Sequence, residues 1–284
     1  MDIIDHRARW LEEGPPKANL PKDLHVIELK LALDLSALGQ SPAKALETAA
    51  GLGVQGVEID ARGDFALVRL SQTGLRQLRK MLDDARLRVS AVRFRTRRGY
   101  YDAAELDARI EATKKAMHLA YGLGAGVVVN HVGHVPSPDS AEWNLLREVL
   151  NDLGRYGQRA GALLAAETGQ ESGPDLAKLL AALAPGAIGV DFDPGNLIVG
   201  GYSPQEALEA LGQSILHVHL SDARRDTAWG RGRLVGLGEG TADLPALLGG
   251  LEAGDYRGWL TIRTPESANP VETASQAVQY MRKL

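Results

Sequence analysis

Short apolar runs alternate with longer segments of helical periodicity along this chain. Each run lasts about five to seven residues, and most runs are apolar on both faces, which is typical of strands buried on both sides of a parallel sheet. The predicted strands are residues 29–35, 56–60, 88–94, 126–130, 163–167, 188–193, 215–220 and 259–263.

The segments between the runs predict helices. Ser41-Pro42 and Ser203-Pro204 are typical helix starts, with Ser as N-cap and Pro in the first turn. The predicted helices are residues 42 to 51 or 53, 75–86, 104–121, 142–160, 174–183, 204–211, 243–251 and 270–281.

About eight strand-helix units over roughly 250 residues indicate an α/β protein with a (β/α)₈ TIM barrel. We expect a single barrel domain over residues 24–284 and an N-terminal extension, residues 1–23, packed across its outside or bottom. A doubly wound open sheet is the alternative, and it would normally carry a Gly-rich phosphate turn after its first strand. Residues 36–40 read Ser-Ala-Leu-Gly-Gln, which is not such a turn.

Composition excludes several classes of function. The net charge of −4 provides no overall basic field, so we expect no nucleic acid partner. The chain has no cysteine, which excludes disulfides, thiolate zinc sites and cysteine nucleophiles. Residues 1–16 lack the apolar region of a secretory signal, and no window resembles a membrane span, so we expect a cytoplasmic protein with no membrane partner. A homo-oligomer is compatible with the sequence.

Four polar residues end four of the predicted strands: Glu167, Asp193, His219 and Arg263. The C-terminal ends of barrel strands meet at one mouth, where the chemistry of such barrels lies. Two carboxylates and an imidazole suit a divalent metal. The structural alternatives are a solvated loop carboxylate for Glu167 and an Asx-type cap of the next segment for Asp193.

Neighbouring residues extend this candidate site. Asp191 shares a face with Asp193 but lies deeper, so we expect it to support a ligand rather than be one. Pro194-Gly195 predicts a sharp turn that leaves Asn196 facing Asp193. His217 is either a substrate-binding residue or purely structural, and His131 could reach a substrate oxygen.

Arginines cluster in two loops. A solvated charge is the ordinary interpretation for most of them, but one or two near the mouth would suit a carboxylate or phosphate of the substrate. They are Arg93, Arg95, Arg97 and Arg98 around the end of the third strand, and Arg224, Arg225, Arg231 and Arg233 after the seventh.

The order and spacing of these motifs resemble the xylose-isomerase-like TIM-barrel superfamily of sugar and sugar-phosphate isomerases and epimerases. The motifs are residues 164–169 (LAAETG), 193–197 (DPGNL), 217–219 (HVH), 236–240 (GLGEG) and 256–262 (YRGWLTI). The resemblance implies a divalent metal (Mn, Mg, Co or Zn) held by Glu167, Asp193 and His219, and a substrate contact from Arg225. In epimerase-type members, glutamates at the ends of strands five and eight move the proton.

The chain departs from this resemblance at Arg263, where the family usually has glutamate. The exchange moves the charge of the site by about +2, and a guanidinium ~4 Å from a divalent ion would cost on the order of 8 kcal/mol at an effective dielectric near 20. Either Arg263 turns away, or it pairs with Glu167 and Asp193 in the place of the metal. A third arrangement, in which Glu266 swings in, is disfavoured because Pro265 stiffens the turn.

These observations predict an isomerase or epimerase-like enzyme that transfers a proton next to the carbonyl of a small polyhydroxylated, in some cases acidic, substrate. Glu167 and Arg263 are the expected catalytic residues, and His131, Asn196, His217 and Arg225 the expected substrate-binding residues. A dehydratase or lyase of the same superfamily is an alternative, because only one glutamate is present. A barrel that binds a small anionic sugar-like ligand without catalysis, with little or no metal, is another. An abasic-site nuclease would need three metals, more histidines and a basic face.

Overall fold

The computed structural model describes residues 30–62, 71–225 and 232–284. Its barrel strands are β1 (Leu31–Asp34), β2 (Gly56–Asp60), β3 (Arg88–Arg93), β4 (Val127–Asn130), β5 (Leu163–Glu167), β6 (Gly189–Phe192), β7 (Ile215–Leu220) and β10 (Leu260–Ile262). These eight parallel strands close into a barrel in the order β1, β10, β7, β6, β5, β4, β3, β2. The predicted (β/α)₈ fold is confirmed, whereas residue 29 and the predicted extension 1–23 lie outside the described residues.

Helices alternate with these strands. They are α1 (Pro42–Leu52), α2 (Gln72–Asp84), α3 (Leu106–Gly122), α4 (Ala141–Ala160), α5 (Gly173–Ala181), α6 (Pro194–Gly200), α7 (Pro204–Leu211), α8 (Leu244–Ala253) and α9 (Pro270–Met281). The Ser-Pro starts are helix starts in the structure, and the Oγ of Ser203 accepts a hydrogen bond from the backbone N of Glu206 at 3.2 Å. No helix in the described part of the chain is both long and apolar enough to cross a bilayer.

A short helix and a two-stranded sheet at the mouth of the barrel were not predicted from the sequence. Residues 194–200 form the short helix α6 directly after β6, where we expected a sharp turn. After β7, β8 (Asp222–Arg225) and β9 (Gly232–Val235) pair antiparallel as a small sheet outside the barrel. Both elements lie at the C-terminal end of the barrel, and α6 packs against β8 and β9.

The barrel interior is polar, whereas the layer between barrel and helices is apolar. Glu58 of β2, Asp191 of β6 and His219 of β7 are each fully buried, and His219 is hydrogen-bonded to both acids. The alternate positions Val57 and Val190 belong to the hydrophobic core instead. Period-two alternation therefore places ionisable side chains inside the barrel and apolar ones under the helices.

Candidate active site at the mouth of the barrel

The structure brings Glu167, Asp193 and His219 together. Glu167 ends β5, Asp193 follows β6, and His219 lies on β7, which pairs with β6. One oxygen or nitrogen atom of each lies within 4.8 Å of those of the other two, and all three residues are buried. By position alone, this buried group could hold a metal ion.

Arg263 forms ion pairs with both carboxylates of that group. It follows β10, and its Nη1 donates to Glu167 Oε1 at 3.0 Å and to Asp193 Oδ2 at 2.7 Å. Burial would lower the pKa of Arg263, but the carboxylates of Asp193 and Glu167 raise it above its ordinary value. Of the three arrangements that the sequence left open, the structure has the one in which the guanidinium pairs with both acids.

Glu167 also has two further partners. Arg95, in the loop after β3, donates from Nε to Glu167 Oε2 at 3.1 Å and from Nη2 to Oε1. Asn196 donates from Nδ2 to Oε1 at 3.0 Å. Burial would raise the pKa of Glu167, but Arg95 and Arg263 lower it below its ordinary value, so the carboxylate is ionised.

Asp193 combines a structural contact with its place in the site. Its Oδ1 accepts a hydrogen bond from the backbone N of Asn196 at 2.8 Å, which makes it the N-cap of α6, and another from Ser221 Oγ. The Asx-type cap that the sequence left as an alternative is therefore formed by Oδ1 of Asp193. Its Oδ2 accepts a hydrogen bond from Arg263. The side chain of Asn196 reaches Glu167 rather than Asp193, because Pro194 starts a helix instead of a sharp turn.

Both ring nitrogens of His219 are engaged inside the barrel. Nδ1 lies 2.7 Å from Asp191 Oδ2, and Nε2 lies 2.8 Å from Glu58 Oε2, whereas Nδ1 is 4.0 Å from Asp193 Oδ2. Burial would lower the pKa of His219, but Asp191 and Glu58 raise it well above its ordinary value. The two buried acids that His219 bridges therefore favour its protonated form.

The other predicted site residues lie in different environments. His217 is buried between Asp191 Oδ1 and Thr261 Oγ1, both 2.7 Å away, so both of its ring nitrogens already have partners inside the barrel. His131 contacts the backbone O of Thr96 through Nε2, and its buried Nδ1 has no partner among the described residues. Arg225 is exposed on β8.

A second group of charges, which sequence reasoning did not place in the barrel, lies beside the site. Arg93 donates from Nη1 to Asp34 Oδ2 and from Nη2 to Asp60 Oδ2, both at 3.0 Å. Its Nε lies 3.8 Å from Glu58 Oε1. The sequence did contain a signal for this group. Asp34 and Asp60 end two apolar runs, and Glu58 lies inside the second of them.

The arrangement of these partners does not fit a divalent ion. The oxygens of Glu167 and Asp193 that would face the ion accept hydrogen bonds from Arg263. A metal-ligating histidine points a ring nitrogen with a free lone pair at the ion, whereas Nδ1 and Nε2 of His219 lie 2.7 Å and 2.8 Å from carboxylate oxygens of Asp191 and Glu58. The residue types suit a metal, but their contacts in this chain do not.

The profile of one protein family, described as xylose isomerase-like TIM barrel, matches residues 46–284. The chain belongs to the xylose isomerase-like TIM barrel family. The match runs from within α1 to the end of the chain and includes every barrel strand except β1, and it agrees with the resemblance seen in the sequence.

Two relatives of this xylose isomerase-like barrel carry the name inosose dehydratase. One, from Clostridium botulinum (strain Alaska E43 / Type E3), is 30% identical over 162 residues, which are 50% of this chain and 54% of that protein. The chain thus matches about half the length of this relative. The other, from Bacillus thuringiensis (strain Al Hakam), is 25% identical over 240 residues, 72% of this chain and 80% of that protein.

Among solved structures, a xylose isomerase domain protein from Planctomyces limnophilus superposes with a TM-score of 0.79. It is 24% identical, and the superposition covers 90% of this chain and 95% of that one. At this identity the likeness supports the fold alone.

Proposed function

We propose that this xylose isomerase-like barrel is an enzyme that removes the proton next to the carbonyl of a small polyhydroxylated ketone and eliminates water. The observation that carries the proposal is the contact at the mouth between Glu167 and Arg263, whose Oε1 and Nη1 lie 3.0 Å apart. A carboxylate base beside a fixed cation matches the two demands of the reaction, which are to accept a proton and to stabilise the negative charge left behind.

Glu167 is the base. Its pKa is held low by Arg95 and Arg263 despite burial, so it is ionised and able to accept a proton. A bound substrate whose carbonyl oxygen accepts hydrogen bonds from the free edge of Arg263 draws on the same positive charge and weakens its effect on Glu167. The pKa of Glu167 then rises while the proton next to the carbonyl becomes more acidic, which brings the two groups closer in proton affinity.

A single base is sufficient for elimination. Glu167 takes the proton from the carbon next to the carbonyl, and the bond between the next carbon and its hydroxyl breaks. The protonated Glu167 returns the proton to the departing hydroxyl, so a carbon–carbon double bond and one water form and the enzyme regains its starting state. Epimerisation would need a donor on the opposite face of the substrate, where Arg263 replaces the glutamate expected in epimerase-type members.

The relatives support the same reaction class, since the two described above are named inosose dehydratase. Isomerisation on one face of the substrate also needs only one base and is the neighbouring reaction. We therefore propose that the substrate is a small sugar-like carbonyl compound. We prefer dehydration to isomerisation as its reaction.

The test uses an inosose as substrate, with formation of the dehydrated product followed by ultraviolet absorbance and by the loss of one water in mass spectrometry. Wild type should form the product and Glu167→Gln should not, while circular dichroism shows that the variant is folded. Product retaining the full mass, with deuterium taken up from D₂O, would show isomerisation instead.

One observation favours a second candidate, a barrel that binds a small anionic sugar-like ligand without catalysis. The carboxylates of Glu167 and Asp193 are both paired with arginine, as in a structural ion-pair network. In that case the ligand would bind, as measured by calorimetry, with neither water loss nor deuterium exchange.

A further inference from the structure

The guanidinium of Arg263 lies among the oxygens that a divalent ion would need. Nη1 is 3.0 Å from Glu167 Oε1 and 2.7 Å from Asp193 Oδ2, so one nitrogen bridges both carboxylates. The side chain of Arg263 is only 12% exposed. The contact is thus enclosed by protein, where ion pairs are screened less by salt than on the surface.

The third residue of the group is held away from that point. His219 lies 4.0 Å from Asp193 Oδ2 and makes its two short contacts with Asp191 and Glu58, both fully buried. Turning the ring toward a metal would break its short contact with Glu58 or Asp191, which would keep only Arg93 at 3.8 Å or His217 at 2.7 Å, respectively. Removing one partner from a buried ion pair is strongly unfavourable, so the surrounding acids oppose such a turn.

We propose that the guanidinium of Arg263 takes the place of the divalent ion in this barrel, so that the site has a covalently attached cation and binds metal weakly or not at all. The contacts of Arg263 and His219 support this replacement of the metal by themselves. The nature of the ligand that Arg263 binds rests on the proposed function.

The free edge of the guanidinium indicates what it binds. Nη1 makes both contacts to the acids, and within the described part of the chain Nε and Nη2 make no hydrogen bond. These two nitrogens form one edge of the planar group and donate in parallel, which suits two adjacent oxygens. A carbonyl oxygen and its neighbouring hydroxyl are such a pair, and they are the atoms that the proposed substrate presents.

The experiment measures metal binding directly. Protein freed of metal with a chelator and desalted is titrated with Mn²⁺ by calorimetry, and free Mn²⁺ is followed by electron paramagnetic resonance. Wild type should show no tight site. Arg263→Glu restores an acid and removes a cation at the same position, so its Mn²⁺ affinity should rise on the order of a hundredfold or more.

Matched variants separate a local effect from a change in net charge. Arg97→Glu makes the same charge change on an exposed arginine of the loop after β3 and should leave Mn²⁺ binding close to wild type. Adding Asp193→Asn to Arg263→Glu should abolish the new site. If Arg263→Glu does not give a cooperative thermal melt, Arg263→Gln, which removes the cation without adding an acid, should show a smaller gain.

Two results would overturn the proposal: tight stoichiometric Mn²⁺ binding by wild type that is lost in Asp193→Asn, or no gain in any folded Arg263 variant. An inactive wild type with the expected titrations would count against the proposed reaction and leave the replacement of the metal standing.

Discussion

Arg95 contacts Glu167 at two points, with Nε 3.1 Å from Oε2 and Nη2 on Oε1. The side chain of Arg95 is 43% exposed, so this ion pair contributes little to global stability. Its effect is instead on the proton affinity of the buried carboxylate, since Arg95 is the first of the two arginines that lower the pKa of Glu167 against burial.

We therefore predict that Arg95→Gln raises the pKa of Glu167. The base must be ionised to act, so the acidic limb of the pH profile of kcat/KM should move to higher pH, while the free energy of unfolding changes by less than about 1 kcal/mol. Arg97→Gln, in the same loop, is the control. An acidic limb at the wild-type pH would show that Glu167 is not the titrating base.

Replacing Arg263 by lysine tests the guanidinium fork separately from the charge. Lysine keeps the positive charge beside Glu167 and Asp193 but loses the planar pair of donors, Nε and Nη2. We expect kcat/KM for the inosose to fall by about 10- to 100-fold with a nearly unchanged melting temperature. Wild-type kinetics in Arg263→Lys would mean that the charge alone is sufficient.

The buried acid between the two histidines should be important for stability. Asp191 is fully buried, with Oδ1 on His217 and Oδ2 on His219, each at 2.7 Å. Asp191→Asn leaves the protonated His219 without one of its two anions, and we expect a loss of about 3–5 kcal/mol in the free energy of unfolding by urea. Asp255→Asn, at a side chain that is 91% exposed, should change it by less than about 0.5 kcal/mol.

The same acid predicts a pH dependence. Burial would raise the pKa of Asp191, but His219 and His217 lower it below its ordinary value. Its contribution is therefore present above the unfolded pKa of about 3.9 and is lost as the pH falls toward the lower folded value. The difference in stability between wild type and Asp191→Asn should be largest near neutral pH and shrink in acid.

Glu171 predicts a change of stability in the opposite direction. Burial, with a smaller effect of Asp175, raises its pKa to about 8, and its Oε2 has no partner among the described residues. The folded state holds this proton more tightly than the unfolded state, so the contribution of Glu171 to stability declines as the pH rises from about 4.3 to about 8.

Glu171→Gln stays neutral and should escape that decline. Relative to wild type, its free energy of unfolding should increase by about 1–3 kcal/mol between pH 5 and pH 9, as measured by urea titration at each pH. Glu252→Gln, at an exposed position of α8, should run parallel to wild type. If the pH dependence of the free energy of unfolding were the same in Glu171→Gln and wild type, Glu171 would have an ordinary pKa.

The glycine-rich turn at residues 236–240 should tolerate no side chain at its last position. Asp222 Oδ2 accepts hydrogen bonds from the backbone N of Gly238 and of Gly240, and a Cβ on Gly240 would lie 1.9 Å from Asp222 Oδ1. We expect Gly240→Ala to destabilise the fold by about 2–4 kcal/mol. Gly249→Ala, in an open position of α8, should instead stabilise it by about 0.5–1 kcal/mol in the same thermal melts.

The features of the structure that the sequence did not predict lack a local signal. Helix α6 was missed because its seven residues are too few to show a periodicity and because Pro194-Gly195 is also typical of a turn. The position of Arg95 was missed because it lies beyond the end of its strand, and nothing in the loop sequence distinguishes it from exposed Arg97. The direction of Arg263 was left open, since it depends on residues 70 and 96 positions away in the chain.

The sequence by itself determined the strands, most of the helices, the closed barrel and the set of residues at its mouth, because periodicity and strand ends are properties of neighbouring residues. Only the tertiary structure decided how those residues pair. Arg263 lies on Glu167 and Asp193, while His219 bridges Asp191 and Glu58. Such pairing is set by the register of strands distant in sequence and by the need of each buried charge for a partner of opposite sign.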